Sequence, residues 1–166
     1  MLSKLSSVYS SLSLGSTEYV NGGQNQTVAN LLANFPPSIA YVGKYARVSD
    51  LWGSADEVMR CSYDGSTYFW RPQRTDYAVS ATQTSGTMTL TPLITAPVVV
   101  LTTTLLGTMN LVPAVTNVWP GCTFTVKTPG IGLNILQFTG LVGGLTKTLL
   151  GNSDYSVTYT AAGWRS

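Results

Sequence analysis

The spacing of apolar positions changes character along the chain. In residues 1–14, Leu2, Leu5, Val8, Leu12 and Leu14 are scattered through Ser-rich sequence with no strand-like alternation. Further on, Val28, Leu31, Leu32 and Phe35 fall at i, i+3, i+4 and i+7, the spacing of one helical face. Pro36-Pro37 stops that helix. It is under three turns long, so its apolar face has to dock, either on the protein's own body or on a neighbouring subunit.

From Ile39 onward the period shortens to that of a strand. Ile39–Val48 is strand-like, with Gly43 marking a bulge or turn. Glu57–Tyr63, then Asp64-Gly65, then Ser66–Trp70 predicts a hairpin with a two-residue turn, because glycine accepts positive φ without a Cβ clash. Met59, Cys61 and Tyr63 share one side of the first strand, and Tyr68 and Trp70 one side of the second. Beyond Tyr77 the strands continue. Gly86–Ile94 alternates Thr with Met88 and Leu90, and Val98–Leu101 is continuously apolar, as in a strand covered on both faces. Cys122–Thr128 puts Cys122, Phe124 and Val126 inward and Thr123, Thr125 and Lys127 outward. Leu133–Phe138 begins to alternate and then breaks, and Asp154–Thr160 places Tyr155, Val157 and Tyr159 on one face. Pro120-Gly121, Pro129-Gly130, Gly143-Gly144 and Gly151-Asn152 read as turns between them. The pattern predicts a mainly β protein whose body is an antiparallel sandwich or a barrel-like, jelly-roll-like structure.

Charge divides the chain further. Only 10% of the 166 residues are charged, against roughly 25% in ordinary domains. Most of the charges lie between Lys44 and Asp76, and from Tyr77 to Thr146 there is only Lys127. Three segments follow: an N-terminal arm with its short helix, 1–36; a small charged β module, 37–76; and a hydroxyl-rich β body, 77–166. A surface so poor in charge is either enclosed in an assembly or kept soluble by hydroxyls. The apolar share of 44% excludes disorder by composition. A net charge of +2 is too small to argue for nucleic-acid or membrane steering. The longest plainly apolar run, Ala96–Leu101, is far short of a membrane span, and the first residues lack the apolar core of a signal peptide. Asn25-Gln26-Thr27 matches a glycosylation acceptor, taken here as coincidence without a secretory signal.

The chain has no His, which removes Ser-His-Asp and Cys-His catalysis and nearly every mixed zinc site. Cys61 and Cys122 cannot hold zinc by themselves; they are either two buried thiols or one disulfide. Asp50, Asp56 and Glu57 lack the spacing of a calcium loop. Glycoside hydrolysis needs two carboxylates at fixed separation, and the body from Tyr77 onward has only Asp154. No catalytic residue, metal or cofactor is expected. Arg60, Arg71 and Arg74 with Tyr68, Phe69 and Trp70 form a basic, aromatic cluster able to contact a glycan, a phosphate or a partner through stacking and cation–π interactions. The plainer alternative is a Trp sealing a small core, with the arginines paired to Asp56, Glu57, Asp64 and Asp76. Tyr155, Tyr159 and Trp164 likewise line either a glycan groove or a core or subunit contact.

The order of features carries a resemblance. Thr102–Pro113 looks like a variable strand ending in Leu-Pro, although Val112 separates Leu111 from Pro113. Pro120–Lys127 looks like a Gly followed by a strand with a basic end, and Leu133-Asn134-Ile135 stands where a short Leu/Ile strand belongs. Ser156–Arg165 looks like a closing strand, turn and Trp, with Ala161-Ala162 in place of a charged turn residue. Val42–Asp50 through Asp64-Gly65 to Trp70 is similar to short phage fibre segments. Serially, these features resemble a recurring module of tailed-bacteriophage virion proteins: tail fibres, head fibres and capsid decoration proteins. The resemblance implies a homotrimeric structural protein on the capsid surface of a virion, made in the host bacterial cytoplasm. Its partners would be its own copies and the major capsid protein or another virion protein. A compact chain with no long shaft favours a capsid decoration (cement) or head-fibre protein, attached through arm residues Leu2, Leu5, Val8, Leu12 and Leu14. The alternative is a short tail-fibre or adhesin module binding host-surface glycan.

Overall fold

A computed structural model describes residues 18–53, 56–102, 107–128, 135–149 and 154–166. The five arm positions from Leu2 to Leu14 lie outside the described residues, as do the turn signals Pro129-Gly130 and Gly151-Asn152 and the pair Leu133-Asn134. The chain is mainly β, with one α-helix among the described residues. It divides into two compact units, with the boundary between Gln73 and Arg74. Three segments were expected from the charge pattern; residues 18–36 instead pack as part of the first unit.

The first unit contains strands β1 (Asn25–Gln26), β2 (Tyr45–Val48), β3 (Glu57–Tyr63) and β4 (Tyr68–Pro72) in the order β1-β2-β3-β4. β1 runs parallel to β2, and the other pairs are antiparallel. Helix α1 (Val28–Asn34) starts where the sequence can cap it. The Thr27 hydroxyl accepts the Asn30 N–H at 3.1 Å, and the Asp50 carboxylate accepts the Val28 N–H at 2.7 Å. Leu31 is fully buried, and Val28, Leu32 and Phe35 are half-buried. The helix therefore docks within its own unit, the first of the two readings left open.

Two local expectations need correction. Ile39–Val48 is not one strand: Ile39–Tyr41 forms a 3-10 turn, the chain bends at Gly43, and only Tyr45–Val48 joins the sheet. The hairpin sits where Asp64-Gly65 predicted it, but its loop has four residues rather than two, since Tyr63 pairs with Tyr68. The Asp64 carboxylate accepts both the Ser66 and Thr67 N–H groups at 2.8 Å, which withholds those amides from the ladder. Those two bonds hold the Asp64 carboxyl below its ordinary range.

The second unit is built from β5 (Ala78–Ala81), β6 (Gly86–Leu90), β7 (Val98–Leu101), β8 (Met109–Pro113), β9 (Thr123–Lys127), β10 (Leu136–Phe138), β11 (Lys147–Leu149), β12 (Asp154–Thr160) and β13 (Gly163–Arg165). Strands β5, β7, β9, β12 and β13 lie in one sheet, in the order β13-β12-β9-β7-β5, and β6, β8, β10 and β11 in the other, in the order β11-β10-β8-β6. From β5 to β10 the chain passes alternately from one sheet to the other. Strands β5, β7 and β9 are consequently parallel to one another, and so are β6, β8 and β10. This corrects the antiparallel expectation. Alternation and Gly/Pro turns specify strands but not their direction. A parallel pair needs a long crossover, and here the strand of the opposite sheet supplies it. Among the described residues of this unit, antiparallel pairing appears only at the close, with β11 on β10, β12 on β9 and β13 on β12.

Both sheets feed one core. Val99, Leu101, Phe124, Val126 and Val157 enter from one sheet and Leu90, Met109, Leu111, Leu136 and Phe138 from the other. Trp164 closes it, with its ring 5.5 Å from that of Phe124 and its indole N–H donated to the Ala114 carbonyl at 2.9 Å. The outer face is paired by neutral groups. Thr123 and Thr158 hydroxyls meet at 3.0 Å, Thr125 and Ser156 at 2.8 Å, and Gln137 donates to Thr148 at 3.2 Å. Lys127, isolated in sequence, sits opposite Asp154 and pairs with it at 3.0 Å.

Gly65 has φ of +102° with open space around it, so a side chain there costs backbone strain alone. Gly65→Val should destabilise the first unit by at least about 1–2 kcal/mol, read as a lower urea midpoint than the parent chain. Superimposable melts would show that the turn does not need glycine.

Candidate functional site

The candidate site is the outer face of the first unit's sheet. Ala46, Val48, Met59, Cys61, Trp70 and Pro72 are buried on its inner side. Alternation then sends Tyr45, Arg47, Arg60 and Arg71 outward. Register aligns three of them in a row across three strands: Tyr45 opposite Arg60, and Arg60 opposite Arg71. Arg47 lies two residues along from Tyr45 on the same face. Arg47 and Arg71 are exposed, and Arg60 is half-buried. The Arg60 guanidinium lies 5.8 Å from the Tyr45 ring centroid, and the Tyr19 ring is tilted against Tyr45 with centroids 5.6 Å apart. The Arg60 Nε is buried with no hydrogen-bond acceptor. Among the described residues no ion pair reaches Arg47, Arg60 or Arg71. The arrangement presents three fixed positive charges with planar donors, a chemistry suited to carboxylate or phosphate.

The structure redistributes the cluster read from sequence. Arg60 and Arg71 come together. Trp70 lies on the opposite face, almost fully buried, and donates its indole N–H to the Phe35 carbonyl at 2.8 Å. Tyr68 stacks on Tyr63 at the hairpin end, with ring centroids 4.6 Å apart. Arg74 belongs to the second unit, where it pairs with Asp76 at 3.2 Å and lies 5.0 Å from the Tyr77 ring centroid. The plainer alternative holds for Trp70 and for Arg74, which takes Asp76, but not for Arg60 and Arg71. Of their expected acids, Asp64 binds turn amides, Asp76 takes Arg74, and Glu57 is buried on the inner face. Tyr19, Tyr45 and Arg47 escaped the sequence reading. The available signal was the alternation of Tyr45 and Arg47 with Ala46 and Val48. At the C-terminal end Trp164 is core, with Tyr155 and Tyr159 packed against that core.

Among the described residues no group of three Cys, Asp or Glu side chains is placed to hold a metal ion. Cys61 and Cys122 are both free and buried. Burial pushes the Cys61 thiol up, partly opposed by its contact with the Ser38 carbonyl, and pushes Cys122 up to about 12. Neither is a nucleophile near neutral pH.

No family model matches the chain, and no curated protein matches it. A solved structure described as "Structure of a chaperone-substrate complex" is similar to 73% of this chain at 15% identity, with a TM-score of 0.39. The match spans 24% of that chain's length. A likeness at that level carries no argument about fold or function.

Burial favours the neutral Cys122 thiol in the folded state. Its contribution to stability is complete below the ordinary value of 9.0 and is lost as pH rises from there towards about 12. Urea midpoints should fall across that window, and Cys122→Ala should flatten the fall. An equal slope in both proteins would assign the alkaline loss to other groups.

Proposed function

We propose that the chain is a structural protein of a tailed-phage particle surface, a trimeric capsid decoration or head-fibre protein held through its N-terminal arm. The observation that carries this reading is one end of the second unit. Strands β6, β8 and β10 are parallel neighbours, so the segments that leave them, 91–97, 114–122 and 139–146, start from the same end of the sheet. None of those segments contains a charged residue. Each carries an exposed aliphatic side chain: Ile94 at 74% exposure, Val115 at 69% and Leu145 at 65%. Apolar tips gathered on an uncharged end favour burial against another surface. A second copy meets the requirement without charge complementarity, and the phage-module resemblance supports three copies.

The arm reading adds attachment. Each leucine fully buried on docking contributes about 1.5–3 kcal/mol, against about 1–2 kcal/mol for ordering each backbone residue. One arm therefore gains little, and several arms of one oligomer gain through high effective concentration.

Light scattering at micromolar concentration should give about three times the 17.7 kDa chain mass. Ile94→Asp with Leu145→Asp should shift the protein towards monomer while each chain stays folded. A monomeric parent protein would overturn the trimer. Labelled antibody seen by electron microscopy should mark the heads of intact particles. A chain lacking residues 1–17, which keeps Tyr19 and the buried Val20, should fold and trimerise yet fail to rebind capsids stripped of the native protein. If it rebinds as well as the full chain, the arm is not the attachment.

A further inference from the structure

We propose that the outer face of the first unit's sheet docks an acidic protein surface, whose carboxylates sit on Arg60 and Arg71 with Arg47 beside them and Tyr45 as the packed contact. The inference stands on the basic row itself and does not rest on the particle reading.

Three observations point to a missing anion. Arg60 and Arg71 are direct cross-strand neighbours. Side chains so placed have Cβ atoms about 4.5–5.5 Å apart, and like charges there are destabilising. The inner face of the same strands is apolar except for the buried Glu57, and its packing does not dictate which residues stand at positions 60 and 71 outside. A local conflict in an otherwise consistent sheet is the mark of a site kept for binding. Second, Arg60 is only half-buried and its side chain has no ion-pair partner among the described residues; its Nε is covered and lacks an acceptor, which leaves the terminal nitrogens as the donors an outside carboxylate would meet. Third, the Arg60 guanidinium already rests against the Tyr45 ring, which Tyr19 packs in turn, and contacts made before any ligand arrives lower the ordering cost of binding.

The chain's own acids are poor candidates for the anion. Asp50 holds the start of α1, Asp64 the hairpin turn, Asp76 pairs with Arg74 and Asp154 with Lys127, while Glu57 is buried; Glu18 and Asp56 are exposed, and among the described residues no ion pair joins either to the basic row, so a second copy offers only these two acids. A different molecule fits better than a second copy. The shape favours a protein. A sheet face is broad and open, whereas small-ligand sites are concave. Tyr and Arg are the residues that dominate protein–protein contacts.

The test is a fluorescent Glu-rich peptide, which carries carboxylates without sugar or phosphate, titrated into the full chain at about 0.1 M salt, where exposed charges are screened beyond about 10 Å. Arg60→Gln with Arg71→Gln should weaken binding at least about tenfold, as expected for two lost charge-assisted contacts. Lys127→Gln with Arg165→Gln removes the same net charge from the second unit and should leave binding unchanged. The melting temperature of the Arg60/Arg71 pair variant should hold or rise, since a repulsive pair has gone; a fall would mean that the arginines serve the fold. Equal weakening by both pairs would reduce the effect to net charge. Tighter, pair-dependent binding of polygalacturonate or a single-stranded oligonucleotide would replace the protein partner with a polysaccharide or a nucleic acid. Absence of peptide binding would overturn the proposal.

Discussion

In each unit one face of every sheet is dry, and a strand can turn a side chain only towards that face or away from it. The rest of the molecule depends on this choice. Once Met59, Cys61 and Trp70 are committed inward, Arg60 and Arg71 have to stand together outside, however unfavourable their mutual charge. Once Phe124 and Val126 are inward, Thr123, Thr125 and Lys127 have to form the outer row. Hydrophobic burial is the dominant favourable term in folding, and here it also decides which polar groups become neighbours.

The two units use that constraint differently. The first spends its outer face on cations and rings, with Tyr45 contacting both Tyr19 and Arg60. The second covers its outer face with hydroxyls bonded in pairs and leaves its aliphatic tips to the segments beyond β6, β8 and β10. The step in charge near Asp76 thus follows a structural boundary, between Gln73 and Arg74.

Much of this is legible along the chain, because alternation is local. The strands at Gly86–Leu90, Val98–Leu101, Thr123–Lys127 and Asp154–Thr160 follow their apolar positions, and the helix follows Val28, Leu31 and Leu32. Pairing is not local. That β7 lies beside β9 in parallel depends on β8 having crossed to the other sheet, which no window around Val98–Leu101 contains. The same blindness affects the site. Arg60 and Arg71 are brought together by a hairpin that the sequence announces through Asp64-Gly65, so both were found. Tyr45 and Arg47 join them only through the β2–β3 register, across a connection that carries no such signal. Trp70 stands apart from Arg71 for a related reason: adjacent residues 70 and 71 belong to opposite faces.

The hydroxyl pairs of the second unit set how that surface responds to its surroundings. A bond between Thr123 and Thr158, or between Thr125 and Ser156, has no counter-ion to exchange and no proton to gain or lose in ordinary solution. Added salt acts on that face at the Lys127–Asp154 contact and at Arg165, which stands opposite Thr158. Moderate acid leaves the Thr and Ser ladders in the same state as neutral water does. A coat made of such faces would keep one set of contacts through changes of ionic strength and acidity, with its response to either confined to the few places where charge remains.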